Sequence, residues 1–189
     1  MTTANKLTLL RVAMIPVMII VLYIDGLKEP MGFLGLSLDQ FIFALLFVIA
    51  SFTDFLDGYI ARKYQQITTF GKFLDPIADK VLVMVAFLYL MMLTPDRVPL
   101  WAVMIVIIRE FAITGVRLLA IERGKVIAAS PFGKAKTAST MLALTLMLFN
   151  DFLLPTIIAD VIFWIAIAFT LISGLDYLFK NRAVILESI

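Results

Sequence analysis

The chain has 189 residues, 62% of them hydrophobic, with a mean hydropathy of +1.04 and a net charge of +2 at pH 7. A soluble domain of this length would be about half apolar, so the composition indicates an integral membrane protein without a separate soluble domain. Cysteine and histidine are both absent, which excludes disulfides, metals bound by Cys or His, and serine–histidine catalysis. Any general base must therefore be Asp, Glu, Lys or Tyr.

Six apolar stretches are long enough to cross a bilayer, since about 20 residues span its hydrocarbon core. In chain order they are 7–24, 41–61, 73–93, 100–121, 132–149 and 155–179. The N-terminal residues contain no small-residue cleavage site, so the first stretch is predicted to be a retained helix. The sequence thus predicts an all-α membrane protein, a single domain over residues 1–189 with six transmembrane helices.

The distribution of lysine and arginine orients these predicted helices. If both termini are cytoplasmic, only Lys28 and Arg97 of the 16 basic residues fall on the outer side. This distribution satisfies the positive-inside rule. The sequence therefore predicts a multi-pass protein of the cell membrane, with both termini and any catalytic site at the cytoplasmic face.

Four aspartates interrupt the apolar sequence at the predicted cytoplasmic ends of the second and third helices. They are Asp54, Asp57, Asp75 and Asp79. Spacings of three and four residues place each pair on one helix face, and the short connection makes the two helices antiparallel neighbours. Four converging carboxylates repel one another at low dielectric. Nearby basic residues offer partial neutralisation: Arg62, Lys63, Lys72 and Lys80.

Two interpretations of this acidic cluster follow. Interhelical ion pairs at the membrane interface would be a purely structural use of the carboxylates. However, an all-oxygen cluster without His or Cys is what the hard cations Mg²⁺, Mn²⁺ and Ca²⁺ prefer. Two such ions would suit a displacement at phosphorus. Since carboxylates within membrane helices usually serve a function, the metal-binding interpretation is favoured.

The pattern D-x2-D-G-x2-A-R-x8-G-x3-D-x3-D, from Asp54 to Asp79, resembles the signature of the CDP-alcohol phosphatidyltransferases at every specified position. Members of that family are six-helix membrane enzymes, usually homodimers, which transfer a phosphatidyl group from a CDP-linked lipid to an alcohol and release CMP. The resemblance implies that the four aspartates bind two divalent cations, Mg²⁺ or Mn²⁺, and that Asp79 is the base for the acceptor hydroxyl. It implies a further set of residues near CDP-diacylglycerol: Thr8, Gly58, Ala61, Arg62 and Gly71.

Basic residues of the fourth and fifth stretches indicate an anionic acceptor. Arg109 and Arg117 are eight residues apart and can face one cavity, and Lys134 and Lys136 begin the fifth stretch. Because guanidinium groups suit phosphate well, these four residues are predicted to bind a phosphorylated acceptor. The alternative is ordinary cytoplasmic anchoring by basic residues. Glu110 is predicted to be a structural partner of one of them.

The segments R-E-x3-T-G-x-R and G-K-x-K-T, together with the opening N-x2-T-x2-R, resemble the phosphatidylglycerophosphate synthase branch of the family. This resemblance implies sn-glycerol 3-phosphate as acceptor, with phosphatidylglycerophosphate and CMP as products. It also implies that Asn5, Thr8 and Arg11 lie close to the nucleotide or the acceptor. Membrane lipid is an expected partner, and nucleic acid is not.

Two alternatives to this function stay open. The acceptor could be inositol phosphate, serine or another polar alcohol; the basic residues argue against serine but do not exclude inositol phosphate. A small transporter or channel could use the acidic cluster as an ion path. Such proteins more often show internal pseudo-symmetry or helices broken at mid-membrane, whereas the aspartates are expected at the inner edge.

Overall fold

The computed structural model describes residues 2–64, 68–122, 130–182 and 186. Across these ranges the chain forms six α-helices: α1 (Thr3–Val21), α2 (Leu38–Lys63), α3 (Thr69–Leu93), α4 (Leu100–Glu122), α5 (Pro131–Leu148) and α6 (Ile157–Lys180). Two short 3-10 helices lie in connections, and the described residues contain no strand beyond an isolated bridge between Pro30 and Ser37. The all-α prediction is confirmed, and each predicted apolar stretch overlaps one of the six helices.

Three of the described helices are long and apolar enough to cross a membrane. The apolar spans are Leu38–Ile60 in α2, Phe73–Leu93 in α3 and Ile157–Lys180 in α6. They support the prediction of a membrane protein. Helix α4, which was also predicted to cross, carries the charged residues Arg109 and Glu110 midway along its length. Six crossings and cytoplasmic termini stay predictions.

The chain divides into two compact units. The first unit comprises Met1–Tyr89 and Thr145–Leu154, and the second comprises Leu90–Leu144 and Pro155–Ile189. Helices α1 and α2, with most of α3, thus belong to the first unit. Helices α4 and α6, with most of α5, belong to the second.

Helix α1 begins at a cap that sets the position of its polar residues. The hydroxyl of Thr2 accepts a hydrogen bond from the backbone N–H of Asn5 at 3.3 Å, which satisfies one of the free donors at the helix start. Asn5, Thr8 and Arg11 follow at intervals of three residues and therefore lie along one side of α1. All three are buried, although the helix around them is apolar.

In the first unit, α2 and α3 are antiparallel neighbours, as the short connection predicted. Near the start of α2, the ring of Phe43 lies 4.3 Å between centroids from Tyr89, near the end of α3. At the other ends of both helices, Arg11 of α1 contacts Asp57 of α2 and Asp79 of α3. The start of α2 thus lies beside the end of α3, so the two helices run in opposite directions. This brings the acidic end of α2 close to the acidic first half of α3.

In the second unit, α4 and α6 pack side by side in the same direction. The rings of Trp101 and Trp164 stack with centroids 5.4 Å apart near the helix starts. Further along both helices, Nη2 of Arg109 donates to Oγ of Ser173 at 3.0 Å. This register places the charged middle of α4 against small residues of α6.

Replacing Phe47 by alanine should destabilise the first unit strongly, because the Phe47 side chain is fully buried in α2. Truncating a buried phenylalanine typically costs about 3–5 kcal/mol of unfolding free energy. Thermal unfolding of the purified variant in detergent measures the loss. Phe52→Ala is the matched control on the same helix, since Phe52 is 59% exposed. Equal unfolding temperatures for the two variants would contradict the packing described here.

Candidate active site

A buried arginine lies among the carboxylates of α2 and α3. Nη1 of Arg11 is 2.9 Å from Oδ1 of Asp54 and 2.7 Å from Oδ1 of Asp79, and its Nη2 pairs with Oδ2 of Asp57. The Arg11 side chain has no solvent exposure. Because a buried charge is stable only when paired and hydrogen-bonded, these contacts hold α1, α2 and α3 together at one point.

The hydroxyl of Thr8 connects the fourth aspartate to this cluster. Thr8 Oγ1 donates to Oδ1 of Asp75 at 2.7 Å and lies 3.5 Å from Oδ2 of Asp57. Through Thr8 and Arg11, one turn apart on α1, all four aspartates meet in one place. The predicted convergence of the carboxylates is therefore present, and two side chains of α1 connect them.

The acidic cluster is more exposed on one side than on the other. The side chain of Asp57 is 4% exposed, whereas those of Asp54 and Asp79 are 40% and 41% exposed. Among the described side chains that make these contacts, four carboxylates oppose a single guanidinium. The cluster therefore keeps an excess of negative charge when its members are ionised, and that charge faces the accessible side.

The donor chemistry of this cluster fits hard divalent cations. All its acidic ligands are carboxylate oxygens, which Mg²⁺ and Mn²⁺ prefer, and the excess negative charge is of the right sign. In the part of the chain that the structure describes, no group of three acidic side chains is arranged to hold one metal ion directly. The carboxylates suit the ions in chemistry and charge, and the predicted coordination stays a prediction.

The absence of a side chain at Gly71 allows α3 to start close against α1. A Cβ atom at Gly71 would lie 3.3 Å from both Asn5 Oδ1 and Thr68 Oγ1, and 3.5 Å from Asp75 Oδ2. Thr68 donates to Asn5 Oδ1 at 2.8 Å and accepts from the N–H of Gly71 at 3.0 Å. A Cβ at this position would crowd Asn5 and Thr68, whereas its distance from Asp75 is an ordinary van der Waals contact.

The remaining signature residues lie on the last turns of α2. Gly58 is half-buried and directly follows Asp57. Ala61 and Arg62 are helical, but their side chains, like that of Lys72, lie outside the described part of the structure. Their predicted proximity to the nucleotide stays a prediction.

Two of the lysines considered as counter-ions for the aspartates have other partners. Nζ of Lys63 lies 5.5 Å from the ring centroid of Tyr59, and Lys80 donates to the carbonyl of Pro76 at 3.1 Å. Among the side chains that the structure describes, Arg11 is the one that pairs with these carboxylates. The sequence singled it out only as a residue near the substrates, because its distance along the chain conceals its contact with α2 and α3.

In the second unit, Glu110 joins two of the predicted phosphate-binding cations. Its Oε1 accepts from Nη1 of Arg109 at 2.9 Å and from Nζ of Lys136, on α5, at 2.6 Å. The three side chains are 9–15% exposed. Glu110 is thus a structural partner, as predicted, but of both cations rather than one.

The other two predicted basic residues are placed differently. Arg117 is exposed and its guanidinium carbon lies 5.6 Å from the ring centroid of Tyr177 on α6, a typical cation–π distance. Lys134 is exposed and, two residues from Lys136, projects from another side of α5. The structure therefore brings Arg109 and Lys136 together, and Lys134 does not join them.

Two small residues of α6 support Arg109 and were not foreseen from the sequence. Ser173 accepts from Nη2 of Arg109, and a Cβ at Gly174 would lie only 3.0 Å from Cγ of Arg109. Gly174 therefore provides the space that the arginine stem occupies. A serine and a glycine in an apolar helix carry no signal of this role until the facing helix is known.

Comparison with known proteins identifies the family of the chain. A model of the CDP-alcohol phosphatidyltransferase family matches residues 1–172. The chain belongs to this family. The match includes the whole segment from Asp54 to Asp79, so the resemblance inferred from the sequence is confirmed, and both units of the structure contribute to the family domain.

Several similar CDP-alcohol phosphatidyltransferases carry one name, CDP-diacylglycerol–glycerol-3-phosphate 3-phosphatidyltransferase. The Bacillus subtilis protein is 41% identical over 182 residues, which is 94% of this chain and 93% of the relative. The Rickettsia typhi protein is 39% identical over 178 residues, or 92% and 93% of the two chains. The Shigella flexneri protein is 37% identical over 187 residues, or 96% and 95%. The similarity is therefore spread along nearly the entire chain.

Arg11→Met should lower the stability of the protein, because it leaves the buried Asp57 without its counter-ion. Removing one partner of a buried ion pair typically costs about 3–5 kcal/mol. Thermal unfolding in detergent provides the measurement. Lys28→Met, which breaks an exposed pair with Asp25, is the control and should change little. If both variants unfold at the wild-type temperature, Arg11 does not hold the three helices together.

Proposed function

We propose that this CDP-alcohol phosphatidyltransferase transfers the phosphatidyl group of CDP-diacylglycerol to sn-glycerol 3-phosphate, giving phosphatidylglycerophosphate and CMP. The main support is the convergence of four carboxylates, contributed by α2 and α3, around Thr8 and Arg11 of α1. Family membership supports the reaction type, and the names of the relatives support the donor and the acceptor. The enzyme acts in the synthesis of phosphatidylglycerol.

The acidic cluster is the proposed binding site for cofactors. Asp54, Asp57, Asp75 and Asp79 would hold two divalent cations, Mg²⁺ or Mn²⁺, which would offset the charge of the pyrophosphate and of the departing CMP. The protein's own part is to keep four carboxylates within reach of one another despite their repulsion. Thr8 and Arg11 do this through hydrogen bonds to the carboxylate oxygens.

Asp79 is the proposed general base. With no histidine in the chain, a carboxylate is the most suitable group, and the Asp79 side chain is 41% exposed and accessible to an acceptor. Asp79 takes the proton of the attacking hydroxyl. The hydroxyl oxygen forms a bond to the lipid-side phosphorus, and the bond from that phosphorus to the bridging oxygen breaks and releases CMP.

The phosphate of the acceptor is proposed to bind the basic residues of the second unit. These are Arg109, Arg117, Lys134 and Lys136. Guanidinium and ammonium groups with low exposure are well suited to phosphate oxygens, because charge-assisted hydrogen bonds are stronger away from water. Arg109 and Lys136 fulfil this condition best, since their side chains are 15% and 9% exposed.

The lipid donor is proposed to approach the signature segment of α2 and the start of α3. Thr8, Gly58, Ala61, Arg62 and Gly71 would lie near its nucleotide and phosphates, while the acyl chains stay in the bilayer. We further propose a multi-pass protein of the cell membrane, with the active site at the cytoplasmic face and with a homodimer as the working form.

Release of CMP by the purified protein in detergent tests the function. CDP-diacylglycerol and Mg²⁺ or Mn²⁺ are supplied with glycerol 3-phosphate, inositol phosphate or serine in separate reactions. We expect release only with glycerol 3-phosphate and none after treatment with EDTA. Release with another acceptor would overturn the choice of acceptor alone. If the protein releases no CMP with any acceptor, the alternative function of ion or solute transport would be favoured.

Asp79→Asn should abolish turnover, because the amide cannot accept the proton that a carboxylate accepts. Loss of a general base typically lowers kcat by about 10²–10⁴-fold. CMP release by the variant gives the rate, and its thermal unfolding shows that it is folded. Asp96→Asn makes the same chemical change at an exposed position before α4 and should leave kcat unchanged. Turnover of Asp79→Asn close to wild type would refute the assignment of the base.

A further inference from the structure

We propose that Glu110 is a positioning residue. It holds Arg109 and Lys136 close together, and these two cations form the binding site for the acceptor phosphate. The proposal rests on the proposed function and gives its phosphate site a defined architecture. One carboxylate oxygen of Glu110 accepts from both cations, at 2.9 Å and 2.6 Å. The two positive groups therefore meet at one carboxylate oxygen.

This arrangement needs the carboxylate, because the two cations are poorly hydrated. The side chains of Arg109, Glu110 and Lys136 are 15%, 14% and 9% exposed. Two like charges at short distance repel strongly in such surroundings, and their flexible side chains would separate without a common acceptor. Glu110 offsets one of the two positive charges. Among these three residues the net charge is thus positive, as a phosphate site requires.

Arg109 is fixed from the opposite side as well. Ser173 accepts from its Nη2 at 3.0 Å, and Gly174 makes room for its stem. Nε of Arg109 is buried and has no hydrogen-bond partner in the described part of the structure. A buried donor without an acceptor is unfavourable, but this nitrogen lies against α6, since a Cβ at Gly174 would be 3.8 Å from it. Arg109 would therefore meet a ligand through its Nη donors, and such a ligand must supply acceptor atoms. Phosphate oxygens have that chemistry and match the planar fork of guanidinium.

The contacts of Glu110 with Arg109 and Lys136 involve two helices, α4 and α5. Arg109 and Glu110 are adjacent on α4, and Lys136 comes from α5. Adjacent residues on a helix point in different directions, so Arg109 and Glu110 meet through their long side chains. Glu110 thereby determines the separation of two cations from different helices, which neither helix determines alone.

Glu110→Gln tests the proposal, since glutamine keeps the size and removes the charge. We expect the KM for glycerol 3-phosphate to rise about tenfold, as for the loss of one charge-assisted hydrogen bond. The inhibition constant of inorganic phosphate, competing with the acceptor, should rise by the same factor. The KM for CDP-diacylglycerol should not change. Glu110→Asp, which retains the charge, should recover part of the loss.

Glu122→Gln is the matched control, because Glu122 lies exposed at the end of α4 and the chemical change is identical. Ser173→Ala is the second test variant, since it frees Arg109 with a small change of volume and should raise the same two constants. A wild-type KM for the acceptor in both test variants would overturn the proposal. Equal losses for acceptor and lipid would do so too, because they would indicate a purely structural role.

Phosphate-dependent thermal unfolding separates this proposal from the proposed function. Inorganic phosphate should raise the unfolding temperature of the wild type and of Glu122→Gln, and should raise that of Glu110→Gln less. This shift does not require turnover. If the wild type gives the shift but releases no CMP with glycerol 3-phosphate, the proposed function is wrong, whereas the phosphate-binding site is supported. An equal shift in all three proteins would refute the role of Glu110.

Discussion

The first unit depends on a single buried guanidinium. Arg11 contacts carboxylates of α2 and α3 from its position on α1, so three helices share one electrostatic centre. Without that charge, the four aspartates would repel one another and the acidic ends of α2 and α3 would separate. With it, a cluster that is unfavourable for folding becomes compatible with the helix packing. The charged residues, which are the least favourable ones to bury, are thus held by ion pairs and hydrogen bonds between the helices.

Each unit places several charged groups of one sign around one group of the opposite sign, and the signs are reversed between the two units. In the first, one arginine is surrounded by carboxylates; in the second, one carboxylate is contacted by an arginine and a lysine. The Arg11 side chain is fully buried and that of Glu110 is 14% exposed, and among the described side chains in contact an excess of one sign is left over in each unit. An excess of negative charge suits metal cations, whereas an excess of positive charge suits phosphate. The different roles proposed for the aspartates and for the basic residues rest on this difference.

The sequence predicted the helices and the convergence of the aspartates better than the contacts between helices that hold the aspartates together. Helix positions followed from apolar length, and the aspartates from their spacing within apolar segments, because both signals are local. The role of Arg11 could not be predicted fully, since its partners are 43–68 residues away and the pairing depends on which faces of α1, α2 and α3 meet. Ser173 and Gly174 were missed for a similar reason. Their use depends on the register between α4 and α6, which no pattern within α6 encodes.

The uneven burial of the aspartates gives the acidic cluster a direction. Asp57 lies against the protein interior, whereas Asp54 and Asp79 border solvent. Small solutes that reach the cluster meet Asp54 and Asp79 before Asp57. All three carboxylates contact Arg11, and Oδ2 of Asp57 also lies next to the hydroxyl of Thr8. The cluster thus has an enclosed inner side and an accessible outer side, and its two accessible carboxylates come from different helices, α2 and α3.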